Sequence, residues 1–262
     1  MKIRRIEKVL LYDESSTEAL NITEVARYLR EKLNTQVEVR GNPFPAHLEK
    51  DPDFAGKLAA IKIQDARSKI APDQEPLYAE TRYEQRKLLG KTSSFGVLYE
   101  GFRLHRLFSE PIAEEERFFT FAHILFSNRL FGTWDEGDGR YHIRTSLYGL
   151  PSVISTTGLV EAPARPREYY LLKQQYEALG KDPLEVKESF KGRFIDYDDG
   201  RLTEVIKGYV MQAVFYCLTG DPFCKDKGCR LYNAHWQEEL IFAQLESEYE
   251  FCQRHSRILA SL

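Results

Sequence analysis

All four cysteines of the chain lie in its C-terminal part, residues 198–262, and this clustering constrains the fold more than any other feature of the sequence. Cys224 and Cys229 are separated by four residues, and Cys252 and His255 by two. Thiolates and imidazoles are ligands that zinc takes in tetrahedral sites, and two short pairs of this kind can reach one ion. We therefore predict one zinc ion bound by these four residues.

The spacing also predicts the role of that ion. Gly228 gives the first pair a loop that can turn, and Cys252 and His255 are three apart, so on a helix they share a face. The two pairs would then fix a closing helix to the cysteine loop. Four protein ligands leave no position for water or substrate, so we expect a structural zinc whose binding is coupled to folding of the tail.

Two alternatives for the cysteines stay open at this point. They can act as buried, reduced, small hydrophobic residues, or Cys224 and Cys229 can pair as a disulfide. The start of the chain lacks the long apolar core and small-residue cleavage site of a signal peptide, so we expect a cytoplasmic protein. In a reducing compartment, clustered cysteines bind metal more often than they pair.

The tail resembles the archaemetzincins, a branch of the metzincin zinc peptidases. Their motif runs HExxHxxGxxxC, then x4-C-x-M, then CxxC after a gap. Here the segment Gly220–Cys224 matches the G-x3-C portion, Cys229 follows at the family's spacing, and Leu231 stands where the family has Met. Cys252 and His255 match the last pair, with His in place of its second Cys. In that family these cysteines hold a structural zinc, so the resemblance implies the same role here.

The same resemblance indicates that the hydrolytic centre is missing. Counted back from Gly220, the two motif histidines fall on Ala213 and Cys217, and the glutamate that would be the general base falls on Val214. The third histidine falls on Phe223. Alanine, valine and phenylalanine cannot bind a cation, and valine cannot accept a proton from water. The resemblance therefore implies a metallopeptidase-like protein without catalytic activity, and no catalytic residue is predicted.

The N-terminal part predicts a β-α-β unit. Lys8–Tyr12 contains the apolar run 9–12 and is typical of a buried strand, and Thr35–Arg40 alternates as a second strand. Between them, Asn21 and Glu24 form a capping-box-like pair at the start of a helix. Two strands joined through a helix favour parallel pairing.

Periodicity and turn residues predict the remaining elements. We expect helices over 53–68, 80–89, 166–179, 201–219 and 235–255, strand or hairpin segments within 94–108, 118–131 and 141–150, a turn at 135–140 and a loop at 151–166. The predicted fold class is α/β (α+β): a metzincin-like mixed sheet packed with helices, then an active-site-type helix, a structural zinc loop and a closing helix. We expect a single domain over 1–262, with 198–262 as its C-terminal subregion.

The composition and net charge of the chain limit the classes of binding partner that we expect. Hydrophobic residues make up 42% of the chain and charged residues 29%, which is ordinary for a globular protein. The net charge of −3 disfavours a nucleic-acid-binding zinc module, because duplex binding needs a basic excess. No apolar stretch is long enough to span a bilayer. We expect a peptide or protein ligand, and neither nucleic acid nor membrane.

A second functional hypothesis is an enzyme with a new, non-zinc active site in the cleft of the same fold. Its candidate residues are His142 and Arg144, on a strand after a turn, and Cys217. The sequence assigns none of them a specific chemical role.

Overall fold

The computed structural model describes residues 3–71, 74–92 and 96–262. Its strands are β1 (Lys8–Glu14), β2 (Gln36–Arg40), β3 (Lys62–Ile63), β4 (Leu98–Glu100), β5 (Phe121–Ser127), β6 (Leu130–Asp135), β7 (Arg140–Arg144), β8 (Ser146–Leu147) and β9 (Ser152–Ser155). Its helices are α1 (Ile22–Leu33), α2 (Phe44–Lys50), α3 (Phe54–Ala59), α4 (Tyr78–Leu88), α5 (Gly101–Ser109), α6 (Thr156–Glu161), α7 (Arg167–Ala178), α8 (Pro183–Ser189), α9 (Leu202–Thr219), α10 (Gln237–Ile241) and α11 (Gln253–Leu259).

The strands form two sheets. The first has the order β2-β1-β5-β9-β8, in which the first four strands are parallel and β8 is antiparallel. The second has the order β3-β4-β6-β7, with one parallel pair, β4 and β6. The predicted mixed α/β class and the parallel pairing of β1 with β2 are therefore confirmed. No helix in the described ranges is both long and apolar enough to cross a bilayer.

Strand β1 is buried on both faces over residues 9–12, which explains why these four consecutive residues are apolar or aromatic. Val9 and Leu11 join the main core with α1 and α9, whereas Leu10 and Tyr12 join a second core with α2, α3 and α5. The period of two along the strand thus divides one apolar run between two cores.

Helix α1 begins at the predicted cap. The Asn21 side chain accepts a hydrogen bond from the Glu24 amide at 3.0 Å. The reciprocal half of the capping box does not form, because the Glu24 carboxylate instead binds the Lys207 ammonium at 2.7 Å, and the Asn21 amide donates to the Thr203 hydroxyl at 2.9 Å. Both replacement partners lie on α9, so the cap also joins the two helices.

Helix α9, which the sequence predicts over 201–219, is buried on nearly every side. It packs against β5 and β9 of the first sheet, against α1, and against the tail. Gly220 ends it in the left-handed conformation with φ 79°, which glycine adopts without the strain that a side chain brings. A helix enclosed in this way has little freedom to move, which makes it a rigid base for whatever lies at its ends.

Several predicted elements were wrong, each for a local reason. The helix over 53–68 stops at Ala59, because Ile61 and Ile63 alternate into the core and lead into β3. The predicted strand or hairpin over 94–108, of which Ser94 and Phe95 lie outside the described residues, gives only β4 and then α5, where the Glu100 side chain caps the Arg103 amide. The predicted loop over 151–166 contains β9 and α6.

A buried ion network joins the two sheets. The Arg129 guanidinium, completely buried, contacts Glu14 at the end of β1 at 3.2 Å and Glu84 on α4 at 2.5 Å. Tyr99 on β4 donates to Glu84, and Lys62 on β3 pairs with it at 2.9 Å. Burial alone would raise the pKa of Glu84, but the charges of Arg129 and Lys62 outweigh it and hold that pKa below its ordinary value. Removing one partner of such a network leaves a buried charge uncompensated.

Substitution of Gly208, in the middle of α9, tests how closely the tail packs against this helix. A methyl group there would lie 1.9 Å from Oε1 and within 2.6 Å of the whole Gln244 amide, which is buried and donates to the Arg230 carbonyl. Helix propensity alone predicts that Gly208→Ala stabilises the protein by about 1 kcal/mol. We expect destabilisation by about 1–3 kcal/mol, because the amide must leave its hydrogen bond. Urea unfolding of the variant and the unaltered protein shows whether the free energy of unfolding rises or falls.

Gly41→Ala is the matched control, since a methyl group there meets nothing within 4 Å. If Gly208→Ala proves stabilising, the close contact between α9 and Gln244 is wrong.

Candidate metal centre and adjoining cleft

The cysteine loop folds back on itself after α9. The Cys224 amide donates to the Leu231 carbonyl at 2.8 Å, and the Tyr232 amide donates to the Cys229 carbonyl at 2.8 Å. These bonds bring Cys224 and Cys229 to two neighbouring limbs of one short loop. The Asp226 amide also points at the Cys224 sulfur, at 3.4 Å.

The prediction of one closing helix over 235–255 was wrong. Helix α10 passes into a single π-helical turn, Phe242–Glu246, and the chain becomes extended at Ser247. Cys252 is instead the N-terminal cap residue of α11, and His255 lies in its first turn. Both residues still face the cysteine loop, because a three-residue spacing across a helix start keeps them on one side.

Two contacts hold this second segment against the loop. The Arg230 amide donates to the Glu250 carbonyl at 2.9 Å. A Cβ at Gly228 would meet the Tyr249 hydroxyl at 2.7 Å and the Ser247 hydroxyl at 2.8 Å, so only glycine permits the observed approach. Glycine at this position is thus required by packing, whereas its backbone φ is one that other residues also adopt.

The four predicted ligand atoms converge, all within 4.8 Å of one another. The Cys224 and Cys252 sulfurs are 3.8 Å apart, and His255 Nδ1 lies 3.6 Å from the Cys229 sulfur and 3.1 Å from that of Cys252. Zinc bonds of about 2.3 Å to sulfur and about 2.0 Å to nitrogen place tetrahedral ligand atoms ~3.5–3.8 Å apart. The donor set and most of its spacing therefore fit zinc. All four cysteines are free, so the disulfide alternative does not occur.

Burial disfavours the charged forms of the cysteine and histidine side chains in this cluster. Removal from water raises the pKa of the Cys229 thiol to about 12, raises that of Cys224, and lowers that of His255. Without a cation the two thiols are therefore protonated at neutral pH. A bound divalent ion reverses this preference, because it stabilises thiolates directly.

Of the four positions that the archaemetzincin motif would fill with catalytic residues, one carries a metal-ligating side chain, Cys217, and it belongs to no metal-ligating group of the described residues. Ala213, Val214 and Cys217 point into the main core, and burial raises the pKa of the Cys217 thiol to about 11. Phe223 is 37% exposed and stands directly before Cys224, at the wall of a cleft. None of these four side chains could activate a water molecule.

The cleft beside the metal centre has a volume of about 450 Å³. It is lined by residues 102, 133, 143–148, 162–163, 216, 222–223 and 233–235. Tyr148 stacks with Tyr216 at 6.2 Å between ring centroids and meets Phe223 edge-on at 5.9 Å. The three rings form an aromatic wall, defined here as Tyr148, Tyr216 and Phe223.

A hydrogen-bond network lies beneath this aromatic wall. The Tyr148 hydroxyl donates to Gln212 Oε1 at 2.5 Å and accepts from Ser146 at 2.9 Å. Gln212 Nε2 donates to the Tyr232 carbonyl at 3.1 Å. Gln212 and Tyr216, four residues apart on α9, therefore form the face of the helix toward the cleft. The sequence pattern did not reveal them, because their partners are distant along the chain.

The three residues predicted for a cleft site are not brought together. Arg144 lines the cleft. His142 lies on the same strand, but its Nε2 is 2.7 Å from Asp138 in the hairpin turn, and Cys217 is buried in the main core. They form no single site.

Within the described residues, one further group of metal-ligating side chains occurs: His47, Asp51 and Glu110. The Lys57 ammonium lies 2.6 Å from Asp51 and 3.6 Å from Glu110. Lys57 thus supplies the positive charge that a cation would bring, and this group is an ion-pair cluster.

Comparison with known proteins gives one family and one structural neighbour. The model of a probable metallopeptidase family (DUF6775) matches residues 5–262. None of the curated proteins matches the chain. A crystal structure of a zinc-dependent peptidase from Methanocorpusculum labreanum (strain Z) is similar, with 14% sequence identity and a TM-score of 0.44 over 96% of this chain and 99% of that one.

Tyr148→Phe tests the network beneath the aromatic wall. The substitution keeps the ring but leaves Gln212 Oε1, buried under the cleft, without its donor. We expect a loss of about 1–3 kcal/mol in the free energy of unfolding, measured by chemical denaturation. Tyr216→Phe is the matched control, because its hydroxyl makes no hydrogen bond among the described residues. Equal stability of both variants would contradict the network.

Proposed function

The chain belongs to a probable metallopeptidase family, and from that premise we propose a member without peptidase activity that keeps a structural zinc ion and a peptide-binding cleft. Cys224, Cys229, Cys252 and His255 hold the ion. The observation that carries the proposal is the convergence of these four ligand atoms within 4.8 Å, beside an α9 whose motif positions hold Ala213, Val214 and Cys217, a thiol that belongs to no metal-ligating group of the described residues.

The donor set supports a structural role for the metal. Three thiolates and one imidazole complete a tetrahedron, so no coordination position is left for water or substrate. When bound, the ion supplies the positive charge that keeps buried thiolates stable. The protein residues do the rest, since they join the loop after α9 to the start of α11, and neither segment has much regular structure of its own.

The face of α9 toward the cleft supports the absence of hydrolysis. A zinc hydrolase needs ligands that leave one position open and a base that accepts a proton from water. Gln212 has both ends of its amide hydrogen-bonded, and Tyr216 presents a phenol. Among the described residues no group of three metal-ligating side chains lines the cleft, since neither the Cys224 cluster nor the His47 cluster contributes a lining residue.

The edge of the second sheet supports a peptide as the occupant of the cleft. The Tyr141 amide on β7 donates outward to the Ala66 carbonyl, and the Thr145 carbonyl accepts from the Ser155 amide. Along an antiparallel strand, the amide and carbonyl of every second residue point to the same side. Those of Ile143, two residues after Tyr141 and two before Thr145, therefore point away from β6. In the described part of the chain no other backbone group bonds to Ile143 there. An extended peptide can add to such an open stretch.

Metal analysis tests the structural zinc. We expect about one zinc per chain by elemental analysis, and loss of that zinc in Cys229→Ser, because three remaining ligands cannot close the tetrahedron. Cys217→Ala is the matched control and should keep its metal. Zinc added to the metal-free protein at a thousand times its Kd should stabilise it by about 4 kcal/mol in thermal unfolding.

Unchanged zinc content in Cys229→Ser would refute this ligand set. Two zinc ions per chain would indicate a second, catalytic site. If Cys229→Ser is insoluble, the zinc-induced shift in the unfolding of the unaltered, metal-stripped protein decides the question.

A peptidase screen tests the lack of activity. The zinc-loaded protein should cleave no member of a mixed peptide library above the rate in buffer, as followed by mass spectrometry. The physical reason is the absence of both an open metal position and a general base on α9. Cleavage that a chelator abolishes and added zinc restores would overturn the proposal, whereas a trace activity insensitive to chelators would indicate a contaminant.

A further inference from the structure

The polar side chains that line the cleft are all basic or neutral. Among the described residues no aspartate or glutamate lines it, whereas Arg144 and His235 do. In a protein with more acidic than basic residues, a groove free of carboxylates is unexpected. The charge of the cleft therefore favours an anionic group in its occupant.

Arg144 is held in place yet has no ionic partner. Its Nε donates to the Thr133 hydroxyl at 2.9 Å, which fixes the guanidinium plane at the end of β7. No carboxylate of the described residues comes within ion-pairing distance of it. The Asp135 carboxylate accepts hydrogen bonds from the amides of Asp138 and Gly137, at 3.0 Å and 2.8 Å, which lower its pKa. The charge of Arg144 adds only a smaller lowering of that pKa from a distance. The terminal nitrogens of Arg144 are thus available to a ligand.

The aromatic wall supplies the apolar half of the site. Tyr148, Tyr216 and Phe223 present ring surface in the same cleft that Arg144 borders. A planar guanidinium binds a carboxylate through two parallel hydrogen bonds, and aromatic rings bind apolar side chains. The volume of about 450 Å³ suits a few residues, not a folded domain.

We propose that the cleft selects peptides that carry a carboxylate next to an aromatic or aliphatic side chain, with the carboxylate on Arg144 and the side chain on the aromatic wall. This inference rests on the peptide-binding cleft proposed above. It adds the recognised chemistry, which a C-terminal carboxylate or an acidic side chain can provide.

Three acetylated probes test it by calorimetric titration of the zinc-loaded full chain: Ala-Ala-Phe as the free acid, the same peptide as its C-terminal amide, and Ala-Glu-Phe-amide. We expect the free acid to bind about 10- to 100-fold more tightly than Ala-Ala-Phe-amide, since a charged hydrogen-bond partner is lost. Tight binding of Ala-Glu-Phe-amide would assign the carboxylate to a side chain, and weak binding would assign it to the C-terminus.

Arg144→Gln should remove the preference for the acid, so that acid and amide bind alike. Arg140→Gln is the matched control: Arg140 is exposed on the same strand, pairs with Asp138 and lies outside the cleft, so the preference should persist. Zinc content and thermal unfolding of each variant confirm folding.

The outcomes separate the two proposals. Equal binding of all three probes, the free acid and both amides, by the unaltered protein would overturn the carboxylate preference and leave the peptide cleft standing. A preference that survives Arg144→Gln would overturn the role of Arg144. Failure of all three probes to bind would overturn the peptide cleft itself, together with the inference built on it.

Discussion

The enclosure of α9 is the constraint on which the rest of the structure depends. One side of the helix packs on β5 and β9, and the other carries α1 and the tail. Gly208 lets Gln244 approach the helix backbone, and Lys207 and Glu204 bind Glu24 and Arg230 from its neighbours. Because these contacts and the packing on β5 and β9 hold the helix in place, the chain after Gly220 starts from a defined position, which also fixes the position of the cysteine loop.

The tail illustrates why a small region needs an additional constraint. Between α10 and the chain end it has a π-helical turn, an extended stretch and one short helix, and few buried apolar side chains beyond Phe251. Such a segment gains little from burial relative to the entropy lost on ordering it. On the proposed function, metal binding supplies the missing stabilisation, because its four bonds link segments that are only partly buried in the hydrophobic core. The same four bonds make the ion unsuitable for hydrolysis.

The sequence predicted what depends on local patterns and failed where distant partners decide. Strand β1, helix α1 and helix α9 with its Gly220 end follow from periodicity and capping, and the four clustered ligand atoms follow from spacing. The π-helical turn and the extended Ser247 are set by packing on α9, which no local pattern records. Counting from Gly220 led to Ala213 and Cys217, whereas Gln212 and Tyr216 face the cleft. A shift of one residue turns a helical position by about 100°, enough to move it from cleft to core.

The metal centre and the cleft share a segment of backbone. Phe223 belongs to the aromatic wall, and the next residue, Cys224, belongs to the ligand set. On the proposed function, release of the ion would free Cys224 and loosen the wall that Phe223 forms, so metal and peptide favour the same arrangement of this segment. Two ligands that stabilise one conformation raise each other's affinity by the same factor. On this proposal, a zinc ion that takes no part in chemistry would still govern peptide binding, because the peptide bond between Phe223 and Cys224 joins the cleft wall to the ligand set.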